Sequence, residues 1–190
     1  MTTLPAPSLS NDVDLGVGVG VTVGVAAALV EALALVFSST TPGTGPYQYA
    51  GDYWLTASAL PHALAAVLVM VGVRRLQGAR DGRLGLVGMA VNVVALLALT
   101  VVIVASLLVG HEVQGGPTYV LGTLFTFVGT AVFAAGSWRA GLLPRWLLAV
   151  WPFAWVIGSF AAVSASPVLL VAWYVALLVA LRPGRKTSLG

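Results

Sequence analysis

Long apolar runs alternate with short polar connections along the chain. Six runs stand out, near 13–37, 54–73, 84–109, 118–138, 145–163 and 166–181. A helix needs about 20 apolar residues to cross the hydrocarbon core of a bilayer, and the first four runs reach that length. The first reads VDLGVGVGVTVGVAAALVEALALVF, and its Gly/Val alternation imitates the period of a strand. Its length decides for a helix, because a lone strand leaves its backbone unpaired in lipid. The fifth and sixth runs are joined by Ser164-Ala165-Ser166-Pro167, which suits either a tight crossing hairpin or a re-entrant pair. The expected fold is all-α, an integral membrane bundle of six transmembrane helices forming one domain over 1–190. Residues 1–12 are expected as an N-terminal tail, 38–53 as an external loop and 182–190 as a basic C-terminal tail.

Composition sharpens this picture. Hydrophobic residues make up 59% of the chain and charged residues 8%, against about 25% charged in a soluble domain. That excludes a soluble enzyme, a disordered chain and a nucleic-acid binder. The mean hydropathy of +0.99 agrees. The pI of 9.7 becomes a topology signal once the basic residues are placed. Arg74, Arg75, Arg80 and Arg83 follow the second run, Arg139 and Arg145 the fourth, and Arg182, Arg185 and Lys186 the sixth. The remaining connections have none, so the positive-inside rule puts both termini in the cytoplasm. The single Lys186 against eight Arg, with abundant Ala, Val, Leu and Gly, points to a high-GC bacterial source. The expected location is therefore the bacterial plasma membrane, multi-pass, with the lipid bilayer as first partner. The N-terminus MTTLPAPSLSNDVD lacks a basic n-region, and the run after it is too long for a signal peptide. It is expected to stay as helix 1.

Gly16, Gly20, Gly24, Ala28 and Ala32 recur every four residues, and Gly122, Gly129 and Gly136 every seven. Small residues let helices approach closely in lipid, where van der Waals contact drives association. Such stripes serve packing within the chain, a larger partner or a homo-oligomer. Pro61 and Pro152 fall inside expected helices, where each frees a carbonyl four residues earlier.

The candidate chemistry is sparse. With no Cys and only His62 and His111, a metal site within one chain is not expected, and no cofactor is implied. Glu31 is the one acid deep inside a run. It lies about 9 Å along the helix from the outer end of the first span, and His62 about 12 Å from that of the second. The two thus share a depth, and a hydrogen bond between them is expected. Thr123 and Thr126 of the fourth helix, with Thr130, share one face. Trp151, Trp155, Trp173 and Tyr174 fall near the same level, whereas Asn92 lies closer to the cytoplasm and reads as separate. Together they predict an outer-half pocket in which Glu31 and His62 are catalytic. Thr123, Thr126, Trp151, Trp155, Trp173 and Tyr174 would line it. Each group also has a plain role: His62 as a satisfied interior histidine, the threonines bonded to their own helix, the aromatics in an interfacial belt. Asp52, His111 and Glu112 would join only if the external loops folded inward.

The stretch Thr130–Trp146, TAVFAAGSWRAGLLPRW, resembles a segment of small uncharacterised bacterial multi-span membrane proteins, in which a basic helix end, a Gly-containing turn and Pro-Arg-Trp precede the next helix. The resemblance implies topology and no activity. An acid and an imidazole without a metal or Cys are similar in chemical logic to integral-membrane terpene cyclases, although no motif of that group occurs. The expected function is metal-free acid/base chemistry, a proton-initiated cyclisation or isomerisation, on a lipophilic, isoprenoid-like small molecule. The alternatives are a proton-coupled transporter subunit and a structural accessory subunit.

Overall fold

The computed structural model describes residues 11–40, 45–113, 117–160 and 166–181. The N-terminal tail, part of the external loop, Ser164, Ala165 and the basic residues Arg182, Arg185 and Lys186 lie outside them. The described chain forms six helices: α1 Asn11–Phe37, α2 Ala50–Leu76, α3 Gly82–Val109, α4 Pro117–Ala140, α5 Arg145–Phe160 and α6 Ser166–Leu181. Among the described residues no strand forms, and the only β contact is an isolated bridge between Pro46 and His111. Helices α1 to α4 are long and apolar enough to cross a membrane. Helices α5 and α6 have 16 residues each, about 24 Å at the helical rise.

The outward faces are as apolar as the interior. On α3 alone Val94, Leu97, Val101 and Leu108 are exposed, Leu108 by 82%. Helices that are hydrophobic all round are not stable in water but fit a membrane. Inside, one core cluster runs from Val17 and Val21 of α1 through Met70, Phe133, Trp151 and Trp155 to Leu177 of α6.

The bundle is built from two tight pairs, α1–α2 and α3–α4, which meet more loosely where α2 faces α3. Helices α5 and α6 close the ring against α4 and α1. In the α3–α4 seam, Gly88 lies against the Phe133 backbone and Gly136 against that of Gly85. Gly20 of α1 is covered by Leu68 and Val69 of α2, and Gly24 by the ring of Tyr174. The α1 stripe is thus largely consumed inside the chain.

Asn92 corrects one expectation. It does not stand apart: its Nδ2 donates to Thr126 O at 3.0 Å and to Thr130 Oγ1 at 2.7 Å, tying α3 to the threonine face of α4. Thr130 Oγ1 in turn donates to Thr126 O at 2.8 Å, the local bond expected of a helical threonine. Asn92→Ala is expected to lower stability by about 1 kcal/mol, since interhelical hydrogen bonds in lipid average well under that each. Titration with a denaturing detergent would measure it, and an unchanged midpoint would show that packing alone holds the seam.

The ends of the bundle are also ordered. At the end where α2 begins, Asp52 Oδ2 accepts from Gln48 N and Tyr49 N, each at 3.0 Å. This carboxylate caps α2, so the helix opens at Ala50, and the external loop ends at 49 instead of 53. Tyr47 N donates to Gly110 O at 2.7 Å, joining the α1–α2 and α3–α4 connections, and its hydroxyl shares a 2.7 Å hydrogen bond with Thr56. Burial pushes the Tyr47 phenol above its ordinary pKa, with the Thr56 bond opposing the shift. At the other end Asp81 pairs with Arg74, and Ser137 Oγ donates to Gln77 Oε1 at 3.3 Å.

Candidate functional site

The site starts from two side chains that the α1–α2 pair brings together. Glu31 and His62 are 4% and 1% exposed, and Glu31 Oε2 lies 3.1 Å from His62 Nε2. Gly20 in α1 permits the close approach that sets this register. Because capping by Asp52 lengthens α2 outward, His62 sits 12 residues from its start, about 18 Å along the helix. His62 is thus near the middle of α2, whereas Glu31 lies six residues from the C-terminal end of α1, at Phe37.

The proton accounting is definite. Either His62 Nε2–H donates to a carboxylate, or a protonated Glu31 carboxyl donates to Nε2. A neutral imidazole carries one N–H, so Nδ1 is an acceptor in the first case and a donor in the second. Nδ1 has no hydrogen-bond partner among the described residues. The ring borders a narrow hollow between α2, α3 and α5, lined by Ala59, His62, Ala63, Leu96, Leu99, Ile103 and Trp155. The hollow has room for about one water. It lies at the looser α2–α3 seam, with His62 as its one titratable wall.

Of the eight expected site residues, only His62 and Trp155 line this hollow. Glu31 does not line the hollow and reaches it through its bond to His62. Thr126 is buried and spends its carbonyl on Asn92. The Thr123 and Thr126 hydroxyls have no partner among the described residues. Trp151, Trp173 and Tyr174 form a separate aromatic wedge. Trp151 lies 4.7 Å from Trp173 and meets Phe133 edge-on at 5.3 Å. Trp173 Nε1 donates to Leu147 O at 3.2 Å, and the Tyr174 ring fills the notch over Gly24. These rings, with Trp155, are core and no belt: all four are at most 3% exposed. The exposed tryptophans are instead Trp54, Trp138 and Trp146, near helix ends.

The external-loop acids do not enter. Asp52 caps α2, and His111 and Glu112 are exposed. Sequence reasoning missed the buried Gln77 and Asp81 at the α2–α3 turn. A carboxylate one residue before a helix-starting glycine was the available signal, but a turn rich in arginine reads as solvated.

No protein-family model, no curated protein and no solved structure matches this chain.

Proposed function

We propose that this is a multi-pass protein of the bacterial plasma membrane, with six helices in the bilayer and both termini in the cytoplasm, that performs acid/base chemistry on a lipophilic, isoprenoid-like substrate. The observation that carries it is the buried Glu31–His62 pair, with Nδ1 unpartnered among the described residues and the ring bordering an apolar hollow. An ionisable group placed inside a span is costly and marks a functional pathway by default. In this reading His62 Nδ1–H delivers its proton to a carbon–carbon double bond, whose π electrons form the new C–H bond. The electrons of the Nδ1–H bond stay with the ring as the Glu31 proton moves across to Nε2, restoring a neutral imidazole. Loss of a proton from the neighbouring carbon back to the pair completes an isomerisation. The Trp155 face steadies the intermediate cation. The substrate enters from lipid by parting the loose α2–α3 seam.

The same arrangement suits proton movement without carbon chemistry, and the one-water width of the hollow favours that as a second reading, a proton-coupled carrier. A docking subunit has less to stand on, since Gly20 and Gly24 are covered from within.

Carbon protonation leaves an isotopic mark whatever the substrate is. Protein in lipid nanodiscs, incubated with a bacterial lipid extract in heavy water, is expected to place solvent deuterium on carbon in a defined set of lipophilic molecules. Glu31→Gln and His62→Ala should lose at least 100-fold of that labelling, the usual share of a general acid. Identical label patterns for wild type, variants and empty nanodiscs would overturn the enzyme. Pair-dependent proton flux in proteoliposomes would then favour the carrier.

A further inference from the structure

One end of the bundle carries charge that the Glu31–His62 site does not use. The α2–α3 and α4–α5 turns meet there, through Ser137 and Gln77 and through Gly136 against Gly85. Arg75, Arg80 and Arg83 of the first turn and Arg139 and Arg145 of the second are all exposed. Asp12 and Asp14 open α1 at this end, where Val17 packs against Gly72, and the acid of the two turns, among the described residues, is Asp81. It is 2% exposed and is engaged by Arg74. Arg80 Nε donates to Gln77 O at 3.0 Å, and the Arg145 guanidinium lies 5.7 Å from the Trp138 ring centre. Neither contact supplies negative charge. Five guanidinium groups are therefore exposed at this end of the bundle. Trp138 and Trp146, exposed by 44% and 59%, stand beside Arg139 and Arg145. The apolar outer surface of α3 begins directly above, at Leu84, Leu86 and Val87.

We propose that this face binds the phosphate of anionic phospholipids, with Arg139 and Arg145 holding the headgroup and Trp138 and Trp146 set at the boundary with the acyl chains. Like charges gathered on the two turns repel one another, and an anionic leaflet relieves that repulsion. A guanidinium matches phosphate with two parallel hydrogen bonds, which an ammonium does not. Exposed indole rings beside those charges fit an interface that is part apolar and part polar. A soluble anion would satisfy the arginines and leave the indoles in water, so the occupant is a lipid. The proposal rests on the reading that the helices span the bilayer.

Detergent-solubilised full-length protein is titrated with phosphatidylglycerol and, separately, phosphatidylcholine, with bound lipid counted by native mass spectrometry. Wild type is expected to prefer phosphatidylglycerol. R139Q/R145Q should weaken that binding about 25-fold, roughly five-fold for each arginine near the surface, and leave phosphatidylcholine unchanged. R139K/R145K should fall between, because charge remains and the paired hydrogen bonds do not. Both variants are expected to fold, since neither arginine makes an ion pair among the described residues and R145K keeps a cation beside the Trp138 ring, and the lysine pair gives the same comparison should the glutamine pair fold poorly. Equal affinity of wild type for the two lipids would overturn the proposal alone. Full displacement of phosphatidylglycerol by millimolar inorganic phosphate would also overturn it, as the mark of a soluble-anion site. Wild type found in the aqueous phase without detergent would overturn the spanning reading, and this proposal with it.

Discussion

Glu31→Leu alone is expected to destabilise the protein by about 3 kcal/mol, whereas Glu31→Leu with His62→Leu recovers most of that loss and stays inactive. The single change leaves His62 at 1% exposure with neither ring nitrogen bonded among the described residues. A buried polar group without a partner costs about 1–3 kcal/mol, and breaking a buried charged pair about 3–5. Removing both partners for apolar side chains removes the penalty along with the bond, which is often neutral. The cycle of two singles and one double should therefore show a coupling of about 2–3 kcal/mol. Denaturing-detergent titration reads the stability, and deuterium labelling of lipids reads the chemistry. Glu31→Gln sharpens the comparison. Its amide can still hydrogen-bond Nε2, so the fold should hold within about 1 kcal/mol, but an amide cannot pass a proton. A stable and silent Glu31→Gln separates chemistry from architecture. Simple additivity in the cycle would mean that the two side chains are not an energetic unit.

Why such a pair is tolerated follows from its surroundings. Leu96, Leu99 and Ile103 on one side of His62 offer no hydrogen-bond partner, so the Nε2–carboxyl bond is what satisfies the pair. That bond leaves Nδ1 without a partner among the described residues, an acceptor or a donor according to where the shared proton rests. A change of occupant at Nδ1 thus reaches Glu31 through one ring, without movement of a helix. Bound lipid at the arginine face acts at the other end, where it would fix the depth of the bundle and so the level at which His62 meets the bilayer.

Much of this is legible in the amino-acid order alone. Apolar length marks α1 to α4, because the bilayer sets one minimum for every span. The meeting of Glu31 and His62 is legible because consecutive helices run in opposite directions, so depth follows from counting residues back from the outer ends. What counting misses is rotation. Asn92 looks isolated by depth, yet its position on the α4-facing side of α3 brings it to Thr126 and Thr130. Trp151 and Trp173 have the composition of an interfacial belt, and only the way α6 closes against α1 makes them core. Local capping escapes counting too: Asp52 lets α2 begin one turn earlier than the apolar run, at Ala50. Asp81 is hidden among arginines, and only the close approach of α3 and α4 at Gly85 and Gly136 buries it.

That close approach gives the second large effect. Gly88→Ala is expected to cost about 3 kcal/mol or prevent folding, although alanine is the better helix former by about 1 kcal/mol. An added Cβ at Gly88 would fall 2.7 Å from both Gly129 O and Phe133 Cα. Those are backbone atoms, and no rotamer change can move them, so α3 and α4 must separate along the seam. Gly24→Ala is the milder case, because the obstructing group is the Tyr174 side chain. That ring can swing, and adding Tyr174→Leu should restore part of the loss. Gly18→Ala meets nothing within 4 Å and should be neutral or slightly stabilising. The order of damage, Gly88 then Gly24 then Gly18, is the test, measured as unfolding midpoints under one set of conditions. Equal effects at the three positions would mean that the helices do not approach as closely as the glycines allow. Separation of α3 from α4 also moves Leu96 and Leu99, which wall the hollow beside His62. Gly88→Ala should therefore reduce lipid labelling even where enough protein folds to be assayed, while Gly18→Ala should label as wild type.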